Sequence, residues 1–262
     1  MKVYKAYAKV NIFLKITGLR GDYHEIISRF VRVPSLYDEL SFINKEDFSQ
    51  KSESFFIQGN FSCEAHENTI YKAYFALKKA TESEALEQLM RTHGVDVKKN
   101  IPAFAGLGGG SSNAATYLKM CNEVLHLGLS LNELAAIGLE VGADVPFFVY
   151  GYDSANVGGI GEIVEEFKEA SLDFDVYTPD IKISTPKVYA TYRSDFYNPI
   201  DGFQREELKK TNSKDILESM DVRQANDLFA PALQEYKELK EHFRAGFHFS
   251  GSGSSFFKQK EK

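Results

Sequence analysis

Between residues 106 and 112 the chain reads Gly-Leu-Gly-Gly-Gly-Ser-Ser. Asn113 to Leu127 then follows with Ala114, Leu118, Cys121 and Leu125 at helical spacing. Residues this small let several backbone N–H groups converge on one anion with no side chain in the way, and a helix starting there adds roughly half a positive charge. The arrangement suits a phosphate group, and Ser111 and Ser112 add hydroxyls for phosphate oxygens or a magnesium ion. A flexible turn has the same composition, but a linker rarely stands between a strand and a well-patterned helix. A second small-residue run, Ser250 to Ser255, lies between two strand-like stretches. It reads either as a hairpin turn or as another edge of a polyphosphate site.

Three further positions bear chemistry. Lys9 and Asn11 share one face of an otherwise apolar first strand, where a lysine needs a partner, usually solvent or a surface carboxylate. Asp144, in Gly-Ala-Asp-Val-Pro-Phe-Phe, sets a carboxylate among apolar neighbours; it is a candidate base, or else a helix-terminal turn residue. Tyr23-His24 could grip a planar ring, or sit in an exposed loop.

Several phosphate and catalytic patterns are missing. No Gly-Lys dipeptide occurs, so there is no Walker loop. The dinucleotide fingerprint begun at Gly106 meets Ser111 where its third glycine belongs. Neither Ser111 nor Ser252 has a glycine two residues away on both sides, and no His-Glu-x-x-His helix is present, which counts against both hydrolase types.

The elements that must hold these residues follow from patterning. Val3 to Ile16 is rich in β-branched and aromatic residues and predicts a strand. Ile70, Ala73, Tyr74 and Leu77 predict an amphipathic helix over 68–80, and a strand is expected near Val95 to Val97. Ser130-Leu131-Asn132-Glu133 is a capping-box signature for another helix, which Gly142 should end. The glycine-rich stretch 151–161 lacks hydrophobic periodicity and marks a domain boundary. Beyond it, strands are expected near 175–177 and 181–183, helices over 204–219 and 226–242, and a closing strand-turn-strand through His248 and Phe257.

Composition bounds the partners. The 262 residues carry 31 Lys and Arg against 37 Asp and Glu, a net charge of −6, so a nucleic acid backbone would repel the chain. The apolar run Val145 to Tyr150 is far too short to cross a bilayer, and the N-terminal Met1-Lys2-Val3-Tyr4-Lys5 lacks a signal-peptide core. Two unclustered cysteines, Cys63 and Cys121, fit a reducing cytoplasmic location.

Taken together, three segments resemble the GHMP kinases in the family's motif order: Ala8 to Leu14, Pro102 to Ala115, and Ser250 to Ser255. The wording Gly-Leu-Gly-Gly-Gly-Ser-Ser-Asn-Ala-Ala, the Tyr-His pair and Gly-Ala-Asp-Val-Pro-Phe-Phe are similar to one branch. That branch phosphorylates the 2-hydroxyl of a cytidine-diphosphate-linked methylerythritol in non-mevalonate isoprenoid synthesis. Weaker echoes fall at Asn68, 158–162, Thr185-Pro186 and 226–228.

The resemblance implies an α+β fold in two domains, an ATP-binding one over 1–151 and a substrate-side one over 152–262, with the sites in the cleft between them. It implies ATP and Mg2+ as cofactors, a small-molecule cytidine diphosphate-linked polyol as substrate, and a monomer or weak homodimer. Asp144 matches the catalytic base, and Lys9 the lysine that partners it and orients the hydroxyl. The triphosphate would lie on Pro102, Ala103, Phe104, Ala105, Gly106, Leu107, Gly108, Gly109, Gly110, Ser111 and Ser112, with Ser112 a metal ligand. Asn68 and Lys99 match positions near adenine. Tyr23 and Tyr189 would sandwich the cytosine, His24 would read its edge, and Asn11 would contact the acceptor's hydroxyls. The chain departs from the family at Phe104, where glycine is usual, and in the turn before Tyr23, one residue shorter than usual. Other acceptors of the superfamily, homoserine or mevalonate, have no base to stack, and a nucleotide sensor on the same fold would have no use for the Lys9 and Asp144 pair.

Overall fold

The computed structural model describes residues 2–47 and 55–260; Met1, Glu261, Lys262 and the segment 48–54 inside the expected first domain lie outside the described residues. In chain order the strands are β1 (Tyr4–Arg20), β2 (Tyr23–Asn44), β3 (Ile57–Gly59), β4 (His93–Lys98), β5 (Ser154–Gly159), β6 (Ile163–Glu166), β7 (Phe174–Tyr177), β8 (His248–Phe249) and β9 (Phe256–Gln259). The helices are α1 (Thr69–Thr81), α2 (Glu84–Thr92), α3 (Gly109–Val124), α4 (Leu131–Leu139), α5 (Val145–Tyr150), α6 (Thr185–Thr191), α7 (Gly202–Lys210), α8 (Ser213–Ser219), α9 (Val222–Ala225), α10 (Phe229–Glu235) and α11 (Leu239–His242).

The chain forms two compact units. One comprises Met1–Ala8, Leu36–Ile101 and Gly109–Gly151; the other Lys9–Ser35, Pro102–Gly108 and Tyr152–Lys262. Gly151 to Tyr152 is one place where the chain passes between them, but residues 9–35 and 102–108 cluster with the later half.

In the first unit the end of β2 pairs antiparallel with β4, from Glu39 opposite Lys98 to Asn44 opposite His93, and β3 runs parallel to β4. Helix α1 buries Ile70, Ala73, Tyr74 and Leu77, the face expected from their spacing, and packs on α3. Ser130 and Glu133 complete the capping box of α4, which ends three residues before Gly142. Helices α3 and α4 both pack on α5.

In the second unit β1 turns at Gly21, whose φ of +61° suits glycine, into the start of β2. Residues Ile26 to Val31 pair antiparallel with β5, and β5 with β6. The stretch 151–161 therefore carries a strand, held by pairing rather than by periodicity, with Ala155 and Val157 fully buried. A second antiparallel sheet has the order β7-β9-β8. Its core gathers Leu14, Ile16, Val188, Leu228, Phe229, Phe249 and Phe256.

Residues 181–183 form no strand: the Ile181 amide bonds the Pro179 carbonyl at 2.8 Å, closing a tight turn, and Ile183 is buried. The helix expected over 204–219 is broken at Thr211 and Asn212, and the one over 226–242 becomes α10 and α11.

Candidate functional site

In the second unit, β1 places Lys9 and Asn11 side by side and almost fully buried. The Lys9 Nζ donates to Asn11 Oδ1 at 2.6 Å and stands 4.4 Å from the centre of the Phe30 ring. Asn11 Nδ2 donates to Ser28 Oγ at 2.9 Å, so the amide orientation is set from β2. The Lys9 backbone N–H donates to the Leu107 carbonyl at 3.0 Å, joining the strand to the first glycine run.

The two small-residue runs meet. Ser250 Oγ donates to the Gly106 carbonyl at 2.9 Å, and the Ser255 N–H to the Ala105 carbonyl at 3.1 Å. Gly106 has a φ of +73°, and a Cβ there would stand 2.0 Å from the Ser250 carbonyl oxygen, so only glycine allows this approach. The second run is the turn between β8 and β9, the first of the two readings of that segment. Asn226 Nδ2 donates to the carbonyls of Phe249 and Gly251, at 2.8 and 2.9 Å, and Thr185 Oγ1 bonds Ser252 Oγ at 2.7 Å.

On the same unit His24 packs against Tyr189, with ring centres 5.0 Å apart, and edge-on against Tyr192 at 5.9 Å. His24 Nε2 is buried without a hydrogen-bond partner among the described residues. Burial, helped by the Arg193 charge, holds the imidazole below its usual pKa, so it stands neutral with one donor and one acceptor. Tyr23 is 65% exposed at the head of β2. Phe104 adopts a φ of +55°, a conformation more natural to glycine, and leaves its ring half exposed.

In the first unit, α3 begins at Gly109, so Gly109, Gly110, Ser111 and Ser112 form its first turn, whose N–H groups have no partner within the helix. Ile101 closes on Gly109: a Cβ there would lie 2.8 Å from the Ile101 Cγ2. Thr69 Oγ1 donates to the Gly110 carbonyl at 2.6 Å. Asn68 caps α1, accepting from the Ile70 N–H at 2.9 Å. Lys99 pairs with Asp38. Asp144 stands at the N-terminus of α5, half-buried, and its side chain makes no capping hydrogen bond. It therefore occupies a helix-terminal position without doing a cap's work.

Five contributors escaped sequence reading: Ser28, Asp38, Thr185 as a bonding partner, Tyr192, and Asn113, whose Oδ1 is buried without a partner among the described residues. Asn113, at the end of the glycine run, and Thr185, in one of the weaker family echoes, had some signal; the other three had none. Among the described residues no three His, Cys, Asp or Glu side chains cluster as a metal site. Among those residues no helix is long and apolar enough to cross a membrane.

The fold that joins these two glycine-built turns is that of the GHMP kinases. Residues 68–152 match the GHMP kinases N terminal domain. Mevalonate kinase of Methanococcus jannaschii shares the fold at a TM-score of 0.59 and 13% identity, over 99% of this chain and 90% of that one. A crystal structure of 4-(cytidine 5'-diphospho)-2C-methyl-D-erythritol kinase aligns at a TM-score of 0.71 and 29% identity, over 99% and 90%. The 4-diphosphocytidyl-2-C-methyl-D-erythritol kinase of Sulfurimonas denitrificans is 67% identical, covering 100% of this chain and 98% of its own. That of a Sulfurovum species is 43% identical, covering 98% of each. The chain belongs to the 4-diphosphocytidyl-2-C-methyl-D-erythritol kinase family.

Proposed function

We propose that this kinase transfers the γ-phosphoryl group of ATP to the tertiary 2-hydroxyl of 4-diphosphocytidyl-2-C-methyl-D-erythritol. The observation that carries the reading is the buried Lys9 and Asn11 pair, bonded through backbone and Ser250 to both glycine runs in a chain of this family. An ammonium in that setting is placed for chemistry rather than for solvation. The acceptor oxygen attacks the γ-phosphorus and ADP leaves. Asp144 takes the hydroxyl proton, while Lys9 supplies positive charge beside the transferring oxygen and Asn11 orients the polyol.

Gly106 to Ser112 offer N–H groups to the triphosphate, and the crowding at Gly106 and Gly109 fits a cradle kept free of side chains. Asn68 and Lys99 take the nucleoside side of ATP. Magnesium fits as well: a hard cation seeks oxygen donors, and the buried Ser112 hydroxyl in the first turn of α3 is one. When bound with the nucleotide, it neutralises charge on the phosphate oxygens. On the substrate side, Tyr189 and Tyr23 flank the cytosine and the neutral His24 reads its edge, an arrangement supported by the His24 and Tyr189 ring contact.

The test is ADP release with a panel of acceptors, run on the native chain and on Asp144→Asn. The native chain should turn over the cytidyl substrate and not mevalonate or homoserine. Asp144→Asn should lose about 10²- to 10⁴-fold in turnover, the span of general-base contributions, with binding of a non-hydrolysable ATP analogue kept. Loss of binding together with turnover would make Asp144 structural, and turnover of mevalonate alone would overturn the acceptor.

A further inference from the structure

Asp38 lies in the second half of β2, its side chain wholly buried, and its carboxylate is fully engaged. One oxygen accepts the backbone N–H groups of Asn100 and Ile101, at 2.6 and 2.8 Å; the other accepts from Lys99 Nζ. The two backbone groups belong to the residues that lead into Pro102 and the glycine run. The lysine reaches the other end of that run, since its Nζ lies 3.5 Å from where a Cβ on Gly109 would be. One buried carboxylate therefore pins the approach to the cradle and the cation beside it.

A lysine next to a phosphate cradle would ordinarily be read as a clamp for phosphate charge. Here the buried anion pairs with it directly. A ligand close by meets a compact ion pair, whose field falls off faster than that of a lone ammonium. Of the three N–H donors, one goes to Asp38, and among the described residues the other two are left for a ligand. Donors carrying little net charge suit neutral acceptors, such as purine ring nitrogens and ribose hydroxyls, better than they suit phosphate.

We infer that Asp38 is a positioning residue for nucleoside selection: by cancelling the charge of Lys99 and holding it against the start of α3, it directs that lysine to the nucleoside and away from the triphosphate. The inference rests on the ATP reading above and deepens it.

Calorimetric titration with a non-hydrolysable ATP analogue and, separately, with inorganic tripolyphosphate separates the roles. Lys99→Gln should weaken the analogue up to about tenfold, the upper weight of an ordinary hydrogen bond, and leave tripolyphosphate within about twofold. Asp38→Asn, which keeps an acceptor for the two amides but frees the lysine's charge, should weaken the analogue several-fold and tighten tripolyphosphate. Equal weakening of both ligands in Lys99→Gln would make the lysine a phosphate clamp and overturn the inference. So would an unchanged ratio in Asp38→Asn. If Asp38→Asn does not fold, as judged by circular dichroism, the Lys99→Gln ratio decides alone. A native chain that binds tripolyphosphate but not the analogue would overturn the ATP reading itself, whereas analogue binding with unaltered ratios overturns only the role of Asp38.

Discussion

Val188 anchors α6 in the core, while its neighbour Tyr189 is partly exposed and packs against His24; the cytosine reading gives that ring a base to stack. A base stacked on an aromatic face gains about 1–3 kcal/mol, so Tyr189→Ala should raise KM for the cytidyl substrate about tenfold or more and leave KM for ATP nearly unchanged. Steady-state kinetics with each substrate varied in turn checks this, and equal movement of the two KM values would place Tyr189 outside the cytosine site. At this scale Lys9, Asn11 and the glycine run could be read from the chain, because each is an oddity within its own segment: an amine on an apolar strand, glycines ahead of a helix. Asp38 and Ser28 could not. Nothing local distinguishes them, and their partners lie 61 and 17 residues away.

Two glycines with nearly the same φ separate conformation from crowding at the scale of the element. Gly106 and Gly128 have φ of +73° and +70°, but a Cβ meets nothing within 4 Å at Gly128 and the Ser250 carbonyl at 2.0 Å at Gly106. Gly128→Ala should cost only the left-handed conformation, about 1–2 kcal/mol. Gly106→Ala should cost clearly more and raise KM for ATP, since the 250–255 turn must move away. Denaturant midpoints and ATP kinetics of the two variants test this, and equal losses would show that the Ser250 turn yields freely. Element boundaries also show where local signals stop working. The capping box at Ser130 predicted α4 because both of its partners are local. The break between α7 and α8 was not predictable, because Arg29 on β2 takes up the carbonyls of Leu208, Lys209 and Thr211 at the helix end. That guanidinium is wholly buried, and burial pushes its pKa down to about 10.

For the molecule as a whole, the neutral histidines predict how stability depends on acid. Burial lowers the pKa of His248, and it lowers that of His24 together with the Arg193 charge, both from an ordinary 6.5. The unfolded chain then binds protons at higher pH than the folded one. Stability is therefore intact above about 6.5 and falls as pH drops through that value towards the folded pKa values. Denaturant midpoints measured from pH 7.5 down to 5 should decline, and His248→Gln should decline less steeply. A midpoint flat with pH, or the same slope in the variant, would contradict it. The glycine run is divided between the two compact units, Pro102–Gly108 in one and Gly109 onward in the other. A boundary drawn from composition alone could not have found that, since it depends on which distant segments pair.

Taken alone, the chain's letters determined the glycine run, the helix it leads into, the lysine on the first strand and the kinship, because these are written in runs of neighbouring residues where propensity and spacing act. The tertiary structure decided the joining of the two glycine turns, the strand within 151–161, the pairing of Asp38 with Lys99 and the packing of His24 on Tyr189. Each of these is a contact between segments far apart in the chain, selected by burial and hydrogen-bond satisfaction in the folded state, and no local periodicity encodes it.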